Sequence, residues 1–502
     1  MLTRRAMLAT TIAAASSPAA AAPARQGTLK IALLSLQTSD PHRHTGSISV
    51  QQAYVEGLTS IADDGRAIPF LAQAWDVDAD GRRYVFHIRP NVTFHNGRTL
   101  TARDVLANAT RMRDQVRGGW LATPMKLVNS LEAPDDATFV MRMDEPYGPL
   151  LNLLSELWIM APESEGWAAT IRKPIGTGPF QFTRWTPNQR FFGEAHPTYW
   201  QSGLPKVAAV DFDVRDTGDY SLPLRAGDLH IARVGVSSLP QLQADKAIQV
   251  QPQKDTTWYF WSFNNRKPRP PFDNPKVRAA LLHAMDKPGL MQLVAGTSGV
   301  ITNQLAAPGQ FWWDRAVHEA DPYKTPDPAR ALSELRTLGV EPSKTPLRIV
   351  SWADDFAMAS AQAVRALGFP IEHIALDDIG ARRRLLTFDW DLAPMASGPR
   401  ADIFLRFLRL MSDGPDNGLW GGPQDKVFDE MMRRAVATVD LDARRKIYLE
   451  AWAHASERYW TVVTGHAADL IANRGEVRGF APGFTWSCHR VDGGIAYASL
   501  EA

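Results

Sequence analysis

Histidines, the cysteine and glycine-rich turns are where chemistry would be sought first in this chain. His42 and His44 stand two residues apart in a proline-containing loop, a spacing at which two imidazoles could share a metal ion, although histidines in such turns more often sit solvated. Cys488 is followed by His489, but adjacency in sequence does not make a thiolate–imidazole dyad, and Cys488 reads as a buried thiol. Because it is the only cysteine, no intramolecular disulfide and no cysteine-cluster metal site can form. Gly176-Thr177-Gly178-Pro179-Phe180-Gln181 starts like a dinucleotide turn, yet lacks the third glycine. Pro179 also withholds a backbone N–H where a phosphate needs one. No Gly-Lys dipeptide occurs, so there is no P-loop, and no nucleophile-elbow serine is present. Carboxylates are plentiful but unpatterned, so no acid/base pair can be nominated. No catalytic residue, metal site or cofactor is assigned, and the chain reads as a non-enzyme.

The elements that would position any site belong to a large globular chain. Its 502 residues correspond to roughly three domains at about 150 residues each. Apolar residues make up 45% and charged residues 22%, enough to bury more than one core. Lysine plus arginine total 55 against 54 aspartates plus glutamates, a net +1 that argues against a nucleic-acid binder or a polybasic membrane anchor. Residues 1–24 read as a cleavable signal of twin-arginine type, with Arg4-Arg5 ahead of an alanine-rich stretch. No later run of 18 apolar residues exists, so the expected product is exported and soluble.

The remaining pattern is mixed α/β. Thr28–Ser35 is an apolar strand, and Gln73–Val77 with Arg83–Ile88 flank an Asp-Gly turn as a hairpin. Thr101 and Asp104 open a helix whose Val105, Ala109, Met112 and Val116 share one stripe. Asn274-Pro275 and Asp327-Pro328 each start a further helix. Leu347–Val350, a helix over 356–367 and Ile371–Leu376 give a β-α-β order, with two helices following near 425–438 and 443–456.

Several dispersed segments, in order, carry a resemblance. They are Pro69–Trp75, Asp80-Gly81, Tyr84–Arg89, Val92–Gly97, Leu100–Val105, Gly176–Phe180, Phe263-Asn264-Asn265, Pro271–Ala280 and Ala284–Lys287. Together they closely resemble the extracellular solute-binding proteins, family 5, the peptide and nickel binders of ABC importers. The resemblance runs from about Thr28 to Gly479. It implies an α/β, two-lobed periplasmic binding protein of type II, in the large peptide-binder class, with an extra subdomain and a hinge between lobes. Mapped onto this chain, the first lobe is 27–45, 175–264 and 467–502, the extra subdomain 46–174, and the second lobe 265–466. The glycines of Gly176-Thr177-Gly178 are expected to supply unusual backbone angles.

The resemblance also places the ligand between the lobes. Trp258, Tyr259 and Trp261 precede the Phe263-Asn264-Asn265 crossover and are candidate cleft aromatics, with alternating strand packing as the competing reading. Trp420, among Gly418, Gly421 and Gly422, is a candidate from a loop where relatives place a cleft aromatic. Peptide-binding relatives carry an aspartate for the ligand's α-ammonium at about the position of Pro399. Here Asp402 is a substitute from a shifted position, or Arg400 favours an anionic group, unless both are solvated loop residues. Arg382, Arg383 and Arg384 read as a solvated helix face. The expectation is a monomeric periplasmic receptor that delivers a peptide-like solute to an inner-membrane ABC permease. A metal chelate or other small organic solute is the alternative ligand, and a periplasmic hydrolase the alternative class.

Overall fold

The computed structural model describes residues 25–33, 36–43, 50–117, 121–215, 219–483, 489–490 and 493–501; the signal-like segment 1–24, His44 and Cys488 lie outside them. The first strand, β1 (Thr28–Ala32), buries Leu29 and Ile31 on one face and Ala32 on the other, as an interior strand must. The extra subdomain follows. Its strands are β2 (Ala72–Val77) and β3 (Arg83–Ile88), then helix α1 (Ala102–Asp114), then β4 (Val128–Glu132) and β5 (Thr138–Met143). They form an antiparallel sheet in the order β2-β3-β5-β4. Tyr84, Phe86 and Ile88 alternate into its core, where they meet Val105, Ala109 and Met112 of α1. The helix start is fixed by the Thr101 backbone N–H donating to Asp104 Oδ2 at 2.9 Å.

Most of the remaining strands build one 11-stranded mixed sheet. Its further strands and covering helices are, along the chain, β6 (Phe180–Thr186), β7 (Arg190–Ala195), β8 (Ala209–Asp213), β9 (Ile231–Val234), β10 (Ile248–Phe263), α2 (Pro275–Leu282), α3 (Lys287–Ala295), β11 (Gly299–Ile301) and α4 (Pro328–Thr337). They continue with β12 (Leu347–Trp352), α5 (Asp355–Arg365), β13 (Ile371–Leu376), α6 (Asp378–Leu385), β14 (Leu392–Ser397), α7 (Lys426–Ala437), α8 (Leu441–Glu457) and β15 (Thr461–Arg474). The strand order is β6-β7-β8-β1-β9-β15-β10-β14-β12-β13, with β11 added along β15. Helix starts follow the sequence. The Asn274 side chain accepts from Lys276 N–H at 3.0 Å and Asp327 from Arg330 N–H at 2.9 Å, each with proline next.

Two strands join the halves of this sheet. From Ile248 to Pro252, β10 pairs with the end of β15, whose other edge carries β9 of the first lobe. From Trp258 to Phe263, β10 instead lies between β15 and β14 of the second lobe. Between the two stretches the pairing of β10 with β15 breaks register, between Pro252 and Thr256 opposite Leu470 and Ala468. The partner switch therefore comes ahead of residue 264, within the strand itself. One core fills the first lobe around Leu29, Phe191, Phe212 and Ile231, and another fills the second lobe around Trp261, Leu281, Ile349 and Val364. A third joins the subdomain to the second lobe, from Phe86 and Leu153 to Trp258, Phe404 and Trp452.

The glycines of the 176–178 turn have a different reason from the one expected: neither has a positive φ. A Cβ on Gly176 would lie 1.8 Å from the Tyr54 carbonyl oxygen, so the need is space. His95 holds the same turn, accepting from Gly176 N–H through Nδ1 and donating from Nε2 to Gly178 O at 3.0 Å. Burial, with His196 alongside, pulls its pKa down to about 3, so the ring is neutral.

Glu56 ties the subdomain to the first lobe. It accepts from the Tyr199 hydroxyl at 2.6 Å and from Trp200 Nε1 at 3.0 Å. Burial pushes its carboxyl up to about 7, against the opposing pull of those hydrogen bonds. The folded state thus holds the proton more tightly than the unfolded chain. Stability from this group is full below about pH 4.5 and declines as pH rises towards 7, by roughly 3 kcal/mol. Glu56→Gln is expected to remove that decline. Unfolding midpoints of wild type and variant, measured from pH 5 to 8, should diverge with rising pH, the variant becoming the more stable; parallel profiles would show that Glu56 titrates normally.

Candidate ligand site

Strand alternation sorts the aromatic candidates of β10. Trp258 and Phe260 point to one face, with ring centroids 4.0 Å apart and nearly parallel planes. Trp420, from a short turn over Asn417–Trp420, stacks on both, 4.6 Å from Phe260 and 5.4 Å from Trp258. The turn is pinned by Asn265 N–H donating to Gly421 O at 2.7 Å. The Arg409 guanidinium covers Trp420 at 4.4 Å from the ring centre, leaving that indole buried. Tyr259 and Trp261 face the other way. Tyr259 meets Phe356 edge-on at 5.0 Å, and Trp261 Nε1–H donates to Ser360 Oγ at 2.9 Å, both partners lying on α5. These two are core residues of the second lobe, separated from Trp258 and Trp420 by the period of two.

The loop after β14 sorts the charged candidates in the same way. The Asp402 side chain is buried: Oδ1 accepts Phe404 N–H at 2.8 Å, and Oδ2 lies 3.9 Å from the buried Arg444 guanidinium. Burial raises its carboxyl above the usual range, with Arg444 opposing. Arg400 is half-buried and donates from Nη1 to Pro399 O at 2.6 Å and Gly398 O at 3.2 Å. It lines a narrow recess of about 10 Å³, room for about one water, with Arg406, Gln310, Trp312, Ile403, Ala401 and Gly65, where the subdomain meets the second lobe. Asn152 of the subdomain holds that junction, donating to Gly65 O and Ala401 O, both at 2.8 Å. A neighbouring recess of about 20 Å³ is mostly apolar; Trp312 and Ile403 line both.

Three arginines gather here, two of which sequence reasoning missed. Arg406 donates to Leu305 O and, at 2.9 Å, to Thr256 O; Arg409 donates to Ser397 Oγ at 2.8 Å. Burial draws the Arg409 pKa down to about 9, and neighbouring Arg400 and Arg406 push the same way. A detectable signal was there, since Arg406 and Arg409 interrupt the otherwise apolar run Ile403–Leu410. Trp312, Phe407 and Tyr448 were also missed.

Other candidates have structural places. His42 is buried, not solvated: Nε2 donates to Trp158 O at 2.7 Å and Nδ1 accepts from Arg111 at 2.8 Å, beside the Arg111–Asp40 pair at 2.6 Å. Among the described residues no group of three or more histidine, cysteine or acidic side chains could hold a metal ion. On α6, Arg382 pairs with Asp378 at 3.0 Å, Arg384 pairs with Asp389 at 2.9 Å, and Arg383 is exposed.

Two halves of one sheet, joined through the paired strands β10 and β15 and each carrying its own core, define a two-lobed α/β fold. The chain belongs to the bacterial extracellular solute-binding proteins, family 5; the model described as "Bacterial extracellular solute-binding proteins, family 5 Middle" matches residues 66–380. It is similar to di/tripeptide-binding protein 1 of Pseudomonas aeruginosa, 25% identical over 433 residues, covering 77% of this chain and 78% of the relative. It is also similar to heme-binding protein A of Haemophilus influenzae, 26% identical over 459 residues, covering 82% and 81% respectively. In three dimensions it is similar to the ABC transporter-associated periplasmic binding protein DppA from Helicobacter pylori in complex with peptide STSA. The TM-score is 0.74 at 20% identity, over 95% of this chain and 99% of that one. The resemblance read from the dispersed motifs and the two-lobed α/β class both hold. Among the described residues no helix is long and apolar enough to cross a membrane.

Proposed function

We propose that this chain is the periplasmic receptor of an ABC importer, exported through its 1–24 segment, and that it captures a peptide-like solute between its lobes as a monomer. The lobes are those mapped from the sequence, except that the first-lobe boundary on β10 moves from residue 264 back to a hinge at residues 253–255 and 468–470. The observation that carries this reading is the two-strand bridge of β10 and β15 with its register break. It lets one half of the sheet rotate against the other while each keeps its own core. Solute contacts made only when the lobes are together select the closed state, so binding energy drives closure and no covalent step is needed. Arg400 is the proposed solute-facing residue of the second lobe, since Trp258 and Trp420 are buried in their own stack. The relatives' printed names include a di/tripeptide binder and a peptide complex, which supports the peptide-like choice.

Native mass spectrometry of protein taken from the periplasm without refolding tests this. One small solute per chain, released on unfolding and returned with a decrease in radius of gyration by X-ray scattering, is expected. Peptide turnover without a stoichiometric complex would replace the receptor by a hydrolase.

A further inference from the structure

The bridge between the lobes narrows to one residue. β10 and β15 pair from Ile248 and Arg474 to Pro252 and Leu470, and resume at Thr256 and Ala468. Three residues of β10, 253–255, therefore face the single residue Asp469. The other edge of β15 changes partner at the same place. It pairs with β9 of the first lobe as far as Leu470 and with β11 of the second lobe from Ala467, and Ala468 and Asp469 fall between. In this gap Asp469 Oδ1 accepts from Nη2 of Arg233, which stands on β9, at 3.0 Å. We infer that the Arg233–Asp469 pair is the pin of the hinge: it ties the one residue about which the lobes turn to the first lobe, and so fixes their resting angle when no solute is bound. This rests on the receptor reading above and assigns its moving joint to two positioning residues.

Side chains on either side of the gap confine the motion to it. On the first-lobe side, the Gln251 amide donates across the strands to Asn473 Oδ1 at 3.0 Å. On the second-lobe side, Thr256 Oγ1 and His466 Nδ1 are 2.6 Å apart, and His466 Nε2 lies 3.0 Å from Gln304 O. Burial, with Arg406 beside it, pulls the His466 pKa down to about 3, so the ring is neutral. Nε2–H then donates to Gln304 O, and Nδ1 accepts the Thr256 hydroxyl. Arg406 of the second lobe also donates to Thr256 O at 2.9 Å. Pro252, at the rim of the gap, has no N–H with which to extend the ladder.

The pin also faces the second lobe. The Tyr259 hydroxyl lies in the field of Arg233, Asp469 and Asp354, the residue that caps α5 by accepting Ala357 N–H at 2.8 Å. Burial lifts the Tyr259 phenol to about 12, with both carboxylates pushing the same way and Arg233 opposing, so it stays neutral. Both members of the pair keep contact with solvent. Such a pair adds little to global stability and is screened by salt. A small energy nevertheless sets the balance between lobe angles of similar free energy, so loss of the pin shows in the joint and not in the melting curve.

Pulsed electron–electron distance measurement tests this, with nitroxides on Gln189→Cys of the first lobe and Arg383→Cys of the second, both exposed, in a Cys488→Ser chain. After solute is removed by unfolding and refolding, this parent should give a narrow distance distribution in about 0.1 M salt and one about twofold wider in about 1 M. Arg233→Gln, Asp469→Asn and the double variant should each be wide at both salts and to the same extent, with unfolding midpoints close to the parent's. Arg233→Lys should stay narrow at low salt, because the charge is kept. Variants that match the parent, or widening that adds up in the double variant, overturn the pin. The parent taken from the periplasm with its solute tests the receptor reading separately. A distance different from that of the emptied protein supports it, and the same distance in both removes it.

Discussion

Asp402→Ala lowers stability by about 3–5 kcal/mol, because it leaves the buried Arg444 guanidinium without its facing carboxylate. Arg444 lies under the Trp312 ring, with its charged centre 5.2 Å from the ring centre, and the pair to Asp402 is long at 3.9 Å. The pair is thus not strongly bonded, but both charges are out of water, and removing one strands the other. Arg444→Met in the same chain should recover much of the loss, since it removes the stranded charge and keeps an apolar stem. Chemical denaturation of the single and double variants measures this. The rival outcome is equally clear: unchanged stability with lost solute affinity would make Asp402 a ligand residue and contradict its inward placement.

Trp420→Ala comes second, with an expected loss of about 3–5 kcal/mol. In the sequence this residue is a candidate cleft aromatic in a glycine-flanked loop. The structure buries it between Phe260, Trp258 and the Arg409 guanidinium, so removal opens a cavity and strips the cover from a buried cation. Trp420→Phe should retain most of the stability, because the ring stack survives with a smaller face. Solute affinity of the phenylalanine variant, read where the fold is intact, then reports whether the indole contributes to capture. A Trp420→Ala protein with an unchanged melting temperature would contradict the packed arrangement.

Local signals in the sequence were legible wherever one residue or its near neighbours decide the outcome. Thr101 with Asp104, Asn274-Pro275 and Asp327-Pro328 each start a helix through contacts within a few residues. The β12-α5-β13 unit likewise follows from apolar runs of the right length. What could not be read was which side of β10 faces which body. Trp258, Tyr259 and Trp261 look alike as a cluster, and only the partners, α5 on one side and Trp420 on the other, tell them apart. The recesses were hidden for a related reason. Residues 305–312, 400–409 and 448–452 are brought together by packing, so no spacing along the chain announces them. Gly176 and Gly178 were noticed but given a conformational reason, because a clash with the Tyr54 carbonyl exists only after folding.

The position of β15 has a consequence for how the protein can be made. It lies between β9 and β10, near the middle of the large sheet, yet it occupies residues 461–474, far along the chain from both. Until it is inserted, β9 and β10 have no common neighbour and neither lobe has its full sheet. Folding of the sheet therefore waits for residues 461–474, with many contacts far apart in sequence, and such topologies fold slowly. A nascent chain stalled before residue 461 would present two unfinished lobes, each with an open strand edge, and not one finished lobe with a tail.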